Sequence, residues 1–277
     1  METGDTPYDV RVVVREPAAP ADRPPLIFIH GAWHGAWCWE QFLDYFAARG
    51  YPCYALDLAG HGESARPRGF NLHTISVHVP PLRRAISEIS RRGKPFLVAH
   101  SMGGWLAQML LSEPDPVQVA GAVLVAPIPA RGVPLKTVAK ILLQHPLKFL
   151  RTSFLASFKI DDPAMARKLF HGPEMSEQEV LASTARLRPE SGLGCIDMML
   201  GFSRIAPRKV SRVPLVILSP ELDYFFPPPN ERGLARSLGA EIREFPGMAH
   251  NLMEEARWRE VADFVGEWIA RVERKAA

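Results

Sequence analysis

The chain has 277 residues, 47% of them hydrophobic and 23% charged, and its 33 basic and 30 acidic side chains leave a net charge of +3. Such a length and composition exclude a disordered or fibrous polymer and suit one large α/β domain with an insertion, while so balanced a charge lacks the concentrated basic face that binding nucleic acid demands. Cys38, Cys53 and Cys195 are odd in number and scattered, with no CxxC pair, which argues against a disulfide scaffold or zinc knuckle and for reduced thiols in a cytoplasm.

METGDTPYDV at the N-terminus has neither the basic segment nor the apolar core of a secretory signal. No apolar run approaches the ~20 residues that cross a bilayer. A cytoplasmic protein without a transmembrane segment is expected. The first strand candidate is Val10–Val14, an added edge strand. Pro25–Ile29 follows as an apolar strand and runs into HGAWHGAW. His30 and His34 are four apart, the spacing that a helical metal site uses, but Gly31 and Gly35 oppose a helix and no glutamate lies between the histidines. A helix is expected over Trp39–Ala48, a strand over Tyr51–Leu56, and a helix over about His73–Arg92, interrupted by Pro80–Pro81. A strand at Pro95–Ala99 leads into a helix at Met102–Ser112, and Gly121–Ala126 is a further strand.

Between about Ile128 and Arg212 the rhythm breaks into several helices with no convincing strand. Residues 128–212 are read as a helical cap inserted into a core made of 1–127 and 213–277. From Arg131 to Lys159 this stretch holds six basic residues and no acidic one, interleaved with leucine and phenylalanine. It is either a cap helix with a solvated basic face or an interfacial patch that brings the mouth of a site to anionic lipid. After it come a strand at Val213–Leu218, a short helix near Asn230–Leu238, a strand at Ala240–Phe245 and an amphipathic helix at Arg257–Val272. Alternating strands and helices imply a mainly parallel, doubly wound sheet with helices on both faces. Its ligands would bind beyond the carboxyl ends of the strands, beneath the insertion.

PFLVAHSMGGW carries the most chemistry. An apolar strand ends at once in Ser101 and a helix begins at once after it. A serine in so sharp a turn needs tiny residues two positions away on either side, and here these are Ala99 and Gly103, a G-x-S-x-G pattern with alanine for the first glycine. The hydroxyl would stand above the sheet edge, beside the positive end of the following helix. Serine needs a base, and the base needs an acid to orient it. LSPELDYFFPPP offers Asp223 beyond the fifth strand of the parallel series, with Glu221 as a competitor two residues earlier. Of the nine histidines only His250, in REFPGMAHNLMEE, falls beyond the last strand. Ser, Asp, His is the chain order such an elbow expects.

His30-Gly31, the DLAGHGES loop at 57–64, the Ser101 elbow, Asp223 and His250 together resemble the α/β-hydrolase superfamily over essentially the whole chain. HGAWHGAWCW resembles the branch that holds plant methylesterases, hydroxynitrile lyases and many bacterial esterases. The resemblance implies a catalytic Ser101, Asp223 and His250. It implies an oxyanion hole from the Ala32 and Met102 amides, with His30 and His34 as structural anchors and no metal. Asn251 after the histidine, where the lyases carry lysine, argues against lyase chemistry. Trp33 and Trp105 are candidate walls of an apolar acyl or aromatic pocket, or simply core. The expected activity is hydrolysis of a carboxylic ester through an acyl-enzyme, with an apolar or lipid-like substrate and no cofactor. Thioester, lactone or carbon–carbon bond hydrolysis remains open, as does a non-catalytic small-molecule binding protein.

Overall fold

In a computed structural model, which describes residues 9–19, 22–144, 157–203, 205, 210 and 213–276, seven strands form one sheet. They are β1 (Arg11–Arg15), β2 (Leu26–Ile29), β3 (Cys53–Asp57), β4 (Phe96–His100), β5 (Gly121–Val125), β6 (Leu215–Pro220) and β7 (Glu241–Phe245). The order across the sheet is β1-β3-β2-β4-β5-β6-β7. β1 pairs antiparallel with β3, from Arg11 opposite Asp57 to Arg15 opposite Cys53. Every other pairing is parallel, so β1 is the added edge strand that the sequence suggests. β4 lies at the centre, with Ala99 opposite both Ile29 and Leu124.

Alternation along the strands builds two cores. Ile27, Ile29, Leu97, Ala99 and Leu124 face one side, and Leu26, Phe28, Phe96, Val98 and Val123 face the other. Because both faces are covered, these strands read as unbroken apolar runs. The second side is closed by α1 (Glu40–Ala47) and α9 (Trp258–Ala276), through Phe42, Phe46, Val265 and Trp268. The first side is closed by α2 (Val79–Ile89), α3 (Met102–Ser112) and α8 (Pro228–Leu238), through Leu82, Ile86, Leu106, Leu110 and Leu234.

The expected helix over His73–Arg92 is shorter than the sequence reading. Ile75–His78 is a 3-10 turn, and α2 starts only at Val79, with Pro80 and Pro81 in its first turn. That is where a residue without an N–H leaves no hydrogen bond unmade. The prolines begin this helix rather than interrupt it.

Between β5 and β6 the described residues form α4 (Leu135–Gln144), α5 (Pro163–Phe170), α6 (Glu177–Arg186) and α7 (Gly192–Leu200). The boundary at 212 and residues 145–156 of the basic stretch lie outside the described residues. Within α4, Leu135 is exposed, whereas Lys140 lies 3.4 Å from the centroid of the Tyr224 ring. A buried ion pair ties this helical segment to the core. His61, beyond β3, and Glu190, ahead of α7, are both fully buried and meet at 2.8 Å. Burial works against both charges, but their mutual attraction outweighs it: His61 is raised and Glu190 is lowered from their ordinary pKa values. No helix among the described residues is long and apolar enough to cross a membrane.

Candidate active site

The loops after β2, β4, β6 and β7 leave the same, carboxyl edge of the sheet. Ser101 is the single residue between β4 and α3, and its backbone lies at φ 50°, ψ −113°. A non-glycine residue in that region costs on the order of 1–3 kcal/mol and persists only where the surroundings enforce it. Here the Ser101 amide donates to the Val125 carbonyl at 2.9 Å, and the Ser101 carbonyl accepts from Trp105 at 3.1 Å and Ile128 at 3.2 Å. The small neighbours are required by contact. A Cβ on Gly103 would stand 2.6 Å from the carbonyl oxygens of both Ile29 and His30, and one on Gly31 would stand 3.0 Å from the Cβ of Ser101. Gly103→Ala is therefore expected to overpack the end of β2 at a cost of about 1–3 kcal/mol. A melting curve should register a drop of roughly 2–4 °C for each kcal/mol, and an unchanged Tm would show that β2 yields freely.

Asp223 sits in the turn after β6. Its Oδ1 accepts from the amides of Phe225 at 2.7 Å and Phe226 at 3.0 Å, and its Oδ2 accepts from His250 Nδ1–H at 2.8 Å. Glu221, the competing acid, instead accepts from the Gly247 amide at 2.8 Å on the exposed side of the turn. His250 is 2% exposed, with the Phe225 and Phe226 rings 4.9 and 5.8 Å from its own. The His100 ring lies 4.7 Å away, and His100 Nε2–H donates to the His250 carbonyl at 3.2 Å. His100 immediately precedes Ser101, so these contacts bring the acid–histidine pair to the serine turn. With Nδ1 committed to Asp223, Nε2 is the proton acceptor that the ring has left.

The loop after β2 completes the rim. Among the described residues no backbone acceptor outside helices and strands takes the amide of Ala32 or of Met102, and the first amides of a helix have no partner within it. His30 Nδ1–H donates to the Gly31 carbonyl at 2.7 Å while its Nε2 accepts from the Leu58 amide at 3.1 Å. His34 Nδ1–H donates to the Ala32 carbonyl at 2.7 Å while its Nε2 accepts from the Asn251 side chain at 2.9 Å. Burial drives both rings to the neutral form, His30 well below its ordinary value and His34 down to about 3. Each ring is satisfied by backbone and side-chain partners and anchors its loop. Among the described residues no group of His, Cys, Asp or Glu could hold a metal ion.

A largely apolar cavity opens over Ser101. Ala32, Trp33, Phe225 and Phe226 wall it from the core, and Phe158, Ile160, Met165, Leu169 and Met198 wall it from the segment between β5 and β6. Trp33 is a wall residue, held at φ 65° with its indole N–H donating to the Phe158 carbonyl at 2.9 Å. Trp105 is not. It lies one turn into α3, fully buried in the core and outside the cavity, which corrects the expectation that it lines a pocket. Phe225 and Phe226, which the sequence reading passed over, stand two and three residues after Asp223 in its own loop and were available to it on that ground.

Residues 26–264 match the model of the Alpha/beta hydrolase family. Over 120 residues the chain is 35% identical to Methyl jasmonate esterase 1 of Vitis vinifera, an alignment that covers 43% of this chain and 45% of that protein. The chain thus spans less than half the length of that relative. A monoacylglycerol lipase from Paleococcus ferrophilus superposes with TM-score 0.69 at 22% identity, over 95% of this chain and 99% of that one. A thermophilic esterase from Thermogutta terrifontis gives TM-score 0.73 at 16% identity, over 96% and 94%. At such identities the two structures speak to the fold alone.

Proposed function

Because the chain belongs to the alpha/beta hydrolase family, a fold that hosts many reactions and dictates none of them, we propose from the residues at its site that it hydrolyses carboxylic esters through an acyl-enzyme on Ser101. The chief support is the strained serine at the floor of an apolar cavity, with His250 packed on the adjacent His100 and its Nδ1 held 2.8 Å from a buried carboxylate. In this scheme His250 Nε2 takes the hydroxyl proton as Ser101 Oγ attacks the ester carbonyl. The tetrahedral oxyanion rests on the Ala32 and Met102 amides, each worth about 3 kcal/mol. His250 then hands the proton to the departing alkoxide, and the alcohol leaves. Water, deprotonated by the same nitrogen, attacks the acyl-enzyme and releases the acid.

The acyl group occupies the hydrocarbon cavity, whose walls of Phe, Met, Ile and Leu reward burial of apolar surface. Esters of an apolar acid with a small alcohol fit such a site, and the methyl ester in the name of the grapevine relative is of that kind. The test is labelling with a fluorophosphonate, followed by turnover of p-nitrophenyl esters of increasing acyl length set beside thioesters and lactones. Labelling confined to Ser101, with esters turned over fastest, is the expected outcome. A folded protein in which Ser101 stays unlabelled would instead be a binding protein.

A further inference from the structure

Four polar groups form a line from the surface to the loop after β2. Glu254 lines a surface pocket with Trp37, Cys38, Glu179, Ser183 and Arg186. Its Oε2 accepts from Asn251 Nδ2 at 2.6 Å. The same Asn251 amino group donates to His34 Nε2 at 2.9 Å, and His34 Nδ1–H donates to the Ala32 carbonyl at 2.7 Å. Asn251 is fully buried and its Oδ1 has no hydrogen-bond partner, so only these two acceptors decide which way its amide faces. We propose that Glu254 is a positioning residue: as a carboxylate it fixes the orientation of the Asn251 amide, thereby the tautomer of His34, and thereby the hold on the Ala32 carbonyl, which fixes the backbone of the residue whose N–H is aimed at the substrate oxygen.

An ionised carboxylate can only accept, so Asn251 must turn its amino group toward Glu254. His34 Nε2 then meets a donor and must carry a lone pair, which leaves the ring proton on Nδ1 for the Ala32 carbonyl. A protonated Glu254 can donate instead. The amide is then free to turn over, its oxygen favours a proton on His34 Nε2, and the Ala32 carbonyl loses its donor. His34 itself stays neutral throughout, since burial holds it at about 3.

Burial raises Glu254 to about 7 against the opposing pull of the Ser183 and Asn251 side chains and of Arg186, with the Glu255 carboxylate adding to the rise. The other groups facing it leave that balance in place. Arg186 is shared with Glu40 through hydrogen bonds of 2.6 and 3.0 Å, and the buried Cys38 thiol stays protonated. Neutral His34 Nε2 lies 3.7 Å away and adds no charge. The relay is therefore set above pH 7 and released below it.

This inference rests on the role proposed for the Ala32 amide, and two measurements separate the two. The ring nitrogens of His34, followed by NMR in ¹⁵N-histidine-labelled protein, should show the Nδ1–H tautomer at pH 8.5 and a growing Nε2–H fraction toward pH 5.5. In E254Q, whose amide can donate or accept, the mixture should persist at every pH. Removing an oxyanion donor outright costs about 10²–10³ in kcat, so misaiming one in E254Q is expected to lower kcat at pH 8.5 by roughly tenfold with KM unchanged. The acid limb of the kcat profile should then lose the ionisation that Glu254 contributes. A His34 tautomer that stays Nδ1–H across this range in the wild-type protein would overturn the proposal, with or without the variant. So would an E254Q profile that coincides with the wild type, or one lowered with the tautomer unmoved. The tautomer reading needs no turnover, so failure of Ser101 to label would count against the esterase reading alone.

Discussion

Ser101→Ala is expected to lower kcat by about 10⁶-fold, the scale on which a serine nucleophile and its base act as a unit. The substitution removes only Oγ. Gly31 and Gly103 still permit the close approaches around the turn, and the amide and carbonyl of residue 101 keep their hydrogen bonds to Val125, Trp105 and Ile128. Alanine tolerates the positive φ about as poorly as serine, so the strain is unchanged and the fold should survive. Stability should hold while activity collapses to what substrate binding and oxyanion donors supply alone. The measurement is single-turnover hydrolysis of a p-nitrophenyl ester with Tm as the control. A residual rate within a hundredfold of wild type would move the nucleophile to another residue.

Asp223→Asn should cost about 10⁴ in kcat, because it imposes the wrong imidazole tautomer. The amides of Phe225 and Phe226 both point at Oδ1, 2.7 and 3.0 Å away, and they will claim the oxygen of the new carboxamide. Its amino group is then left facing His250 Nδ1, which must accept, and the ring proton is forced onto Nε2, the atom that has to take the serine proton. Substrate binding is untouched, so KM should stay constant while kcat falls. A variant with KM raised and kcat retained would show that Asp223 shapes the cavity and does not orient the histidine.

The strands were legible because five of them, β2 to β6, are buried throughout and so read as plain apolar runs. Ser101 was legible because few other arrangements place so small a residue pair around a serine at a strand-to-helix junction. Asp223 and His250 followed from chain order once the serine was in place. What stayed hidden has a common cause. The face that α5 and α7 turn toward the sheet is set by tertiary docking, and helical periodicity marks an apolar stripe without saying what it looks onto. Trp105 shows the same limit from the other side, since an aromatic one turn beyond the serine could as well have faced the cavity as the core. Two adjacent prolines in a helical stretch mark either a break or a beginning, and spacing alone gave the first. The Glu254–Asn251–His34 line joins residues 217 positions apart in the chain, and no local pattern announces it.

The path of the chain through the sheet has a consequence for how the protein comes into being. Ser101 follows the central strand, whereas Asp223 and His250 follow β6 and β7, strands that come after the helical segment in chain order and extend the sheet toward one edge. A chain released only as far as β5 carries Ser101 but neither Asp223 nor His250. On the proposed esterase reading, an acylating centre is complete only once β6 and β7 have docked, so the growing polypeptide is spared it while the cavity walls are still incomplete.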